Sequence, residues 1–414
     1  MKVAVLSIGD ELLTGEVTDT NASHIADRLY GCGARVFRHL TVPDDDEAIV
    51  QALVELAGAS DAVIVTGGLG PTPDDYTAQA AARAAGVELE LSQEALDHLA
   101  EFEKRIERPL HPANRRQALV PGGCRLIPNP LGTACGFAVK IGRAELFFLP
   151  GVPYEMERML AETVLPELQR RLPPPWRRIT LKVFGIPEAA ISERLEGAIP
   201  AGAPLQLAYC VKYPEIHVIL RAATADAAQL EEAAAEVRKR LSRYLFAEDD
   251  ETMDQVLARL FRESGLTLAL AESCTGGMIA ARITALAGSS AYFLEGNVTY
   301  SNAAKSRMLR VPPELIERHG AVSEEVARAM AEGAREAAGS DLALSVTGIA
   351  GPDGGTPEKP VGTVYIALAD AETCRVERCN FQGDRTRVRS ITCFTALNWL
   401  RQYLLSRHGA ESPN

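Results

Sequence analysis

"DAVIVTGGLGPTPDDYTA", Asp61 to Ala78, opens with a β-branched apolar run, breaks at Gly67 and Gly68, crosses two prolines, and resumes a helical pattern at Thr77. A short, continuously apolar run reads as a strand buried on both faces, and such strands separated by helices build parallel sheets. The flanking sequence repeats the pattern. "KVAVLSIG" (Lys2 to Gly9) and "ARVFRHLTV" (Ala34 to Val42) read as two more strands, with helices near Asn21 to Tyr30 and Glu47 to Gly58. "ELFFLPGVP" reads as a later strand ending at a Pro-Gly-Val-Pro turn, followed by a helix near Tyr154 to Ala161. The first domain is therefore an α/β, parallel-sheet unit over residues 1–168.

"RRLPPPWRR" (Arg170 to Arg178) follows, and three consecutive prolines favour an extended connector. Residues 176–249 then read as a small α+β unit of β-α-β-β-α-β order, closing near the acidic "EDDET". Such a unit resembles a KH-type RNA module, but "EGAIPAGAP" supplies no GxxG between two helices. A spacer role is the reading. Residues 252–408 form a third, α/β domain, starting with a helix (Met253 to Ser264) and a strand (Leu266 to Leu270) and ending with a helix from Arg385 to Leu405. The terminal "ESPN" reads as a disordered tail.

The 414 residues are 47% hydrophobic and 24% charged, with a formal net charge of -12. That balance gives no overall pull toward nucleic acid or anionic lipid, and small molecules or metal-bound anions are the expected ligands. No apolar run approaches the roughly 18 residues that span a bilayer. The eight cysteines form no CxxC pair and the seven histidines no HExxH, so reduced thiols in a cytoplasmic protein are expected.

Four loops fall at the carboxyl ends of the first domain's strands: Ser7 to Glu16, Val42 to Ala48, Thr66 to Ala78 and Leu149 to Met156. Ligands of open α/β sheets bind at that edge. Gly67, Gly68 and Gly70 would let backbone N–H groups approach phosphate oxygens, and Thr77 opens a helix whose N-terminus favours an anion. Asp10, Asp46, Asp74 and Asp75 supply hard oxygens of the kind Mg²⁺ uses when it bridges protein and phosphate. Turn-forming glycines and helix-capping aspartates are the alternative for each loop.

The third domain concentrates its chemistry in "AESCTGG", "VTYSNAAKSRML", "VTGIAGPDGGTPEKPVGTVY" and "FQGDRTRVRS". Ser273 stands where a strand turns into a helix, and the N–H groups of Thr275, Gly276 and Gly277 follow it. No histidine occurs in these stretches, so a Ser-His-Asp triad is a poor candidate. Lys305, one turn into a helix, can act as base if desolvated, with Tyr300 beside it. The Gly-rich turn containing Gly348 and Gly351, together with Arg385, suits phosphate or ribose. Ser273 as a simple helix cap, and Cys274 as a small buried hydrophobe, are the competing assignments.

Two resemblances attach to these motifs. "TGGLGPTPDD" with "LPGVP" is similar to the molybdopterin-cofactor-binding (MoCF) domain, and "IGDELLTGEVTDTN" with "NPLGTACGF" narrows this to the N-terminal half of the competence/damage-inducible CinA family. That resemblance implies a metal-dependent ADP-ribose pyrophosphatase whose site is lined by Asp10, Asp46, Asp75 and the Gly67 to Gly70 turn, with a divalent cation such as Mg²⁺. The Nudix helix pattern is absent. "ESCTGG", "YSNAAK", "GIAGPDGG", "KPVGTVY" and "FQGDR" resemble the CinA C-terminal domain, a nicotinamide-nucleotide amidase family. It implies metal-free conversion of nicotinamide mononucleotide to nicotinate mononucleotide and ammonia. Ser273 would be nucleophile, Lys305 and Tyr300 proton-transfer partners, and Arg385 a substrate ligand beside Ser301 and Asn302. The family also implies a homodimer. A non-catalytic pterin-nucleotide-binding or competence-related protein is the rival from another class.

Overall fold

The computed structural model describes residues 1–172 and 176–407, so the three prolines of the connector and the "ESPN" tail lie outside the described residues. The chain divides into two compact units, Met1–Arg178 with Ala222–Ala227, and Ile179–Arg221 with the residues from Ala228 onward.

In the first unit a six-stranded sheet has the order Val36–Val42, Val3–Ile8, Ala62–Thr66, Ala144–Leu149, Gly136–Ile141, Arg125–Ile127. All six residues of Val3–Ile8 and all five of Ala62–Thr66 are buried, as the uninterrupted apolar runs require. Alternate side chains serve opposite faces. Ala4, Leu6, Val63 and Val65 pack beneath Ile49, Leu53 and Leu56 of the Asp46–Ala59 helix. Val3, Val5, Ala62 and Ile64 pack against Ile25 and Leu29 of Thr20–Gly31. Each fully buried Leu or Ile stabilises such a layer by roughly 1.5–3 kcal/mol.

The four strands from Val36–Val42 to Ala144–Leu149 pair in parallel, and the last two run antiparallel to their neighbours. The parallel sheet expected from the sequence is thus present, extended by an antiparallel edge. The cause is local: Ile141 pairs with Ala144 across a two-residue turn in which Gly142 takes φ +57°. A connection that short can join only antiparallel strands.

Most of a four-stranded sheet, ordered Leu205–Lys212, Glu215–Ala223, Trp176–Val183, Leu245–Glu248, falls in the second unit, with helices Glu188–Arg194 and Ala227–Leu241. This is the β-α-β-β-α-β order read from the sequence. Phe184 and Phe246 pack on Phe394 of the final helix, with ring centroids 4.6 and 5.3 Å away. The Lys182 ammonium donates to Glu251 O at 2.8 Å. A Thr252/Gln255 capping box then starts the helix Met253–Ser264.

The last sheet has the order Phe293–Val298, Leu268–Glu272, Leu342–Gly348, Thr363–Ala369, Cys374–Asn380. Its first three strands are parallel, so the chain leaves all three at one edge, at Ser273, Thr299 and Ile349. Helix Arg385–Arg407 covers this domain's core. Among the described residues no helix is long and apolar enough to cross a membrane.

Candidate functional site

The buried strand Leu268–Glu272 delivers Ser273 to the carboxyl edge of the last sheet. The helix that follows, Met278–Thr284, needs acceptors for its first N–H groups, and the Glu272 carboxylate takes them from Gly277 (3.0 Å), Ile279 (3.1 Å) and Ala280 (2.8 Å). Glu272, not Ser273, is the cap. Gly276 and Gly277 take φ +61° and +89°, the left-handed turn this arrangement requires.

Freed from capping, the Ser273 hydroxyl meets the Lys305 ammonium nitrogen at 3.0 Å. Lys305 rises from helix Asn302–Leu309, which Ser301 caps through Ala304 N, and it is only 1% exposed. Its other partner is Thr299 O at 2.8 Å. Both partners are neutral. Desolvation is the main influence on the amine and holds its pKa below the ordinary lysine value, against a smaller upward pull from Cys274. Burial conversely pushes the Cys274 thiol up to about 12. Its sulfur packs where a Cβ on Gly348 would stand, 3.1 Å away, so Cys274 is a neutral packing group.

A second cluster lies at the same edge. Arg385, first in its helix, donates to Gly351 O and to the Tyr300 hydroxyl, both at 2.9 Å. Tyr300 is 62% exposed, and its hydroxyl is held by Arg385 rather than by Lys305. Ser273 with Lys305, and Tyr300 with Arg385, are thus two pairs. Asn302 is exposed at the first position of its helix, and Gly348 ends its strand.

The turn's N–H groups divide differently from expectation. Gly276 N donates to Ser273 O at 3.1 Å and Gly277 N to Glu272, which leaves Thr275 of the three. The Thr275 hydroxyl is fully buried with no hydrogen-bond partner among the described residues, while its carbonyl accepts from Arg389 at 2.8 Å. A 720 Å³ cavity bordered by Arg335, Asp370, Tyr403 and Arg407 opens at the opposite, amino edge of the sheet and takes no part in this site.

In the first unit the carboxylates sort themselves by helix phase. Asp45 caps Asp46–Ala59 through Ala48 N at 2.9 Å. Asp46, the first residue of the helix, is instead bound by Arg83 and accepts from Gln79 at 3.5 Å. Asp44 faces Asp10 instead: Asp10 N donates to Asp44 at 3.0 Å and Asp44 N to Asp10 at 3.3 Å. Burial raises the Asp44 pKa, and the like charges of Asp10, Glu11 and Asp75 add to it, although the Asp10 N–H opposes them. Asp74 is exposed. Asp75 accepts from Gly70 N (2.8 Å), Thr72 N (2.8 Å) and the Thr72 hydroxyl (2.6 Å), bracing the glycine loop.

The glycines of that loop are demanded by close packing. A Cβ on Gly67 would stand 2.2 Å from Ile8 O, and one on Gly68 only 2.1 Å from the Thr77 hydroxyl oxygen, which donates to Gly67 O at 2.9 Å. A cavity of about 110 Å³ adjoins the loop, lined by Gly68, Gly70, Asp75, Arg116 and Gln117. Among the described residues no three acidic, His or Cys side chains converge as a metal-ligand set. Asp10 and Asp44 bring two carboxylates together, hard oxygen donors of the kind a divalent cation takes.

Comparison with known proteins supplies the kinship. Residues 250–404 match the CinA C-terminal domain model, residues 4–170 the probable molybdopterin binding domain, and residues 178–247 the damage-inducible protein CinA KH domain. A CinA-like protein of Citrifermentans bemidjiense is 78% identical over 98% of both chains. The chain belongs to the CinA family. A CinA-like protein of Geobacter sulfurreducens is 58% identical over 98% of this chain and 100% of its own. The solved competence/damage inducible protein CihA from Agrobacterium tumefaciens is 41% identical, covering 37% of this chain and 94% of its own with a TM-score of 0.35.

Three residues of this CinA family member escaped the sequence reading. Glu272 had a signal, an acid at a strand end six residues before a helix. Arg389 had one too, four residues beyond Arg385 on the same helix face. Asp44 had none, because choosing among three consecutive aspartates needs the helix start to one residue.

Proposed function

We propose that the C-terminal domain is a serine amidase acting on nicotinamide mononucleotide, a hydrolase-type activity carried by the buried Lys305 amine 3.0 Å from the Ser273 hydroxyl. The motif resemblance suggests the substrate, and the geometry supports the roles. With its pKa lowered by desolvation, Lys305 is more readily neutral and accepts the Ser273 proton as the oxygen attacks the carboxamide carbon. The Thr275 N–H is the turn's remaining donor toward the oxyanion. Collapse breaks the C–N bond while Lys305 returns the proton to the leaving nitrogen, and ammonia departs. Water then adds to the acyl ester, Lys305 takes its proton, and cleavage of the C–Oγ bond restores the Ser273 hydroxyl and releases nicotinate mononucleotide. Arg385 uses two of its five N–H groups on Gly351 and Tyr300, leaving others for the substrate phosphate.

For the N-terminal domain we propose hydrolysis of ADP-ribose to AMP and ribose 5-phosphate, with Asp10 and Asp44 holding a divalent cation and the loop braced by Asp75 lying along the diphosphate. When bound, that cation would neutralise the diphosphate and lower the pKa of a water. The test of the amidase reading is ammonia release from nicotinamide mononucleotide, compared between wild type and Ser273→Ala. The reading expects release by wild type alone.

A further inference from the structure

The helix that carries Arg385 begins in an exposed turn, with Arg385, Thr386 and Arg387 all open to solvent. Within the turn, Asp384 caps Arg387 N at 2.8 Å, and the Arg387 side chain lies across Gly383, where a Cβ would come 3.0 Å from Arg387 Cβ. The guanidinium then reaches a different domain. It sits 4.5 Å from the centroid of the Tyr213 ring, and the Tyr213 hydroxyl donates to Arg387 O at 3.2 Å. Tyr213 stands at the tip of the hairpin formed by Leu205–Lys212 and Glu215–Ala223 of the KH-like domain.

One side chain thus grips both the cation and the carbonyl of a residue two positions after Arg385. We infer that Tyr213 is a positioning residue for nucleotide binding in the amidase site: it fixes the first turn of the helix from which Arg385 reaches Tyr300 and Gly351. The inference rests on the amidase reading and adds to it a role for the KH-like domain, whose hairpin completes the substrate-anchoring edge. Tyr213 touches no reacting atom, so it acts on binding and leaves the Ser273–Lys305 chemistry alone.

The test measures ammonia release against nicotinamide mononucleotide concentration in the full chain, with Tm for each variant. Tyr213→Ala loses a cation–π contact and a hydrogen bond, and KM is expected to rise about three- to tenfold with kcat within about twofold of wild type. Tyr213→Phe keeps the ring and falls between. Arg387→Ala added to Tyr213→Ala should raise KM less than it does alone, because the two residues form one contact. If Tyr213→Ala does not fold, Tyr213→Leu keeps an apolar tip and carries the same expectation. An unchanged KM, or a fall in kcat at constant KM, overturns the inference while leaving the amidase reading standing. No ammonia from wild type overturns the reading, and the inference with it.

Discussion

Replacing Lys305 by Met separates chemistry from folding, because the two side chains have similar length and the site is almost closed to solvent. The substitution removes the basic group hydrogen-bonded to Ser273 and the contact to Thr299 O. Losing a positioned general base costs about 10²- to 10⁴-fold in kcat, which corresponds to roughly 2.7–5.4 kcal/mol of transition-state stabilisation. Folding responds to opposing effects. The unpaired Thr299 carbonyl costs about 1–3 kcal/mol. Removing a buried amine whose hydrogen-bond partners are two neutral oxygens relieves a desolvation penalty of comparable size. Tm should therefore stay near wild type while kcat collapses. The assay is steady-state ammonia release from nicotinamide mononucleotide, with calorimetry on the same samples. Turnover by Lys305→Met within about threefold of wild type would refute the assignment of Lys305 as base.

Other outcomes follow from the same geometry. Because Lys305 must be neutral to accept a proton, kcat should rise with pH along a limb lying below the ordinary lysine value of about 10.4; a limb at or above that value would contradict the effect of burial. Cys274→Ala should keep turnover within about twofold and cost about 1 kcal/mol in a denaturant melt, since the thiol only packs against Gly348. In the first unit, Asp44→Asn should lower Mg²⁺-dependent AMP formation from ADP-ribose by about 10²-fold or more. Asp46→Asn, which weakens its contacts to Arg83 and Gln79, should leave that rate close to wild type. Equal losses in both aspartate variants would show that helix phase does not sort these carboxylates.

The fold was legible wherever burial on both faces leaves a continuous apolar run. Val3–Ile8, Ala62–Thr66 and Leu268–Glu272 are such runs, and the loops after them are where the candidate sites lie. The antiparallel edge was hidden because "IGRA" is a two-residue hairpin with no proline and only one glycine to mark it. Ser273 and Lys305 were recognisable together because motif spacing places one at a strand end and the other one turn into a helix at the next strand. Their partners were not, since hydrogen bonding depends on rotational phase. Phase puts Asp44 rather than Asp46 against Asp10, hands Tyr300 to Arg385, and lets Glu272 take the capping role that Ser273 was equally suited to by residue type.

The most direct test of the central claim is ammonia release from nicotinamide mononucleotide by wild type and Ser273→Ala with EDTA present, which silences any metal chemistry of the N-terminal domain. Release by wild type, with Ser273→Ala reduced by at least about 10³-fold, is the predicted result. Comparable release by both proteins would contradict Ser273 as nucleophile, and no release by either would remove the amidase assignment altogether.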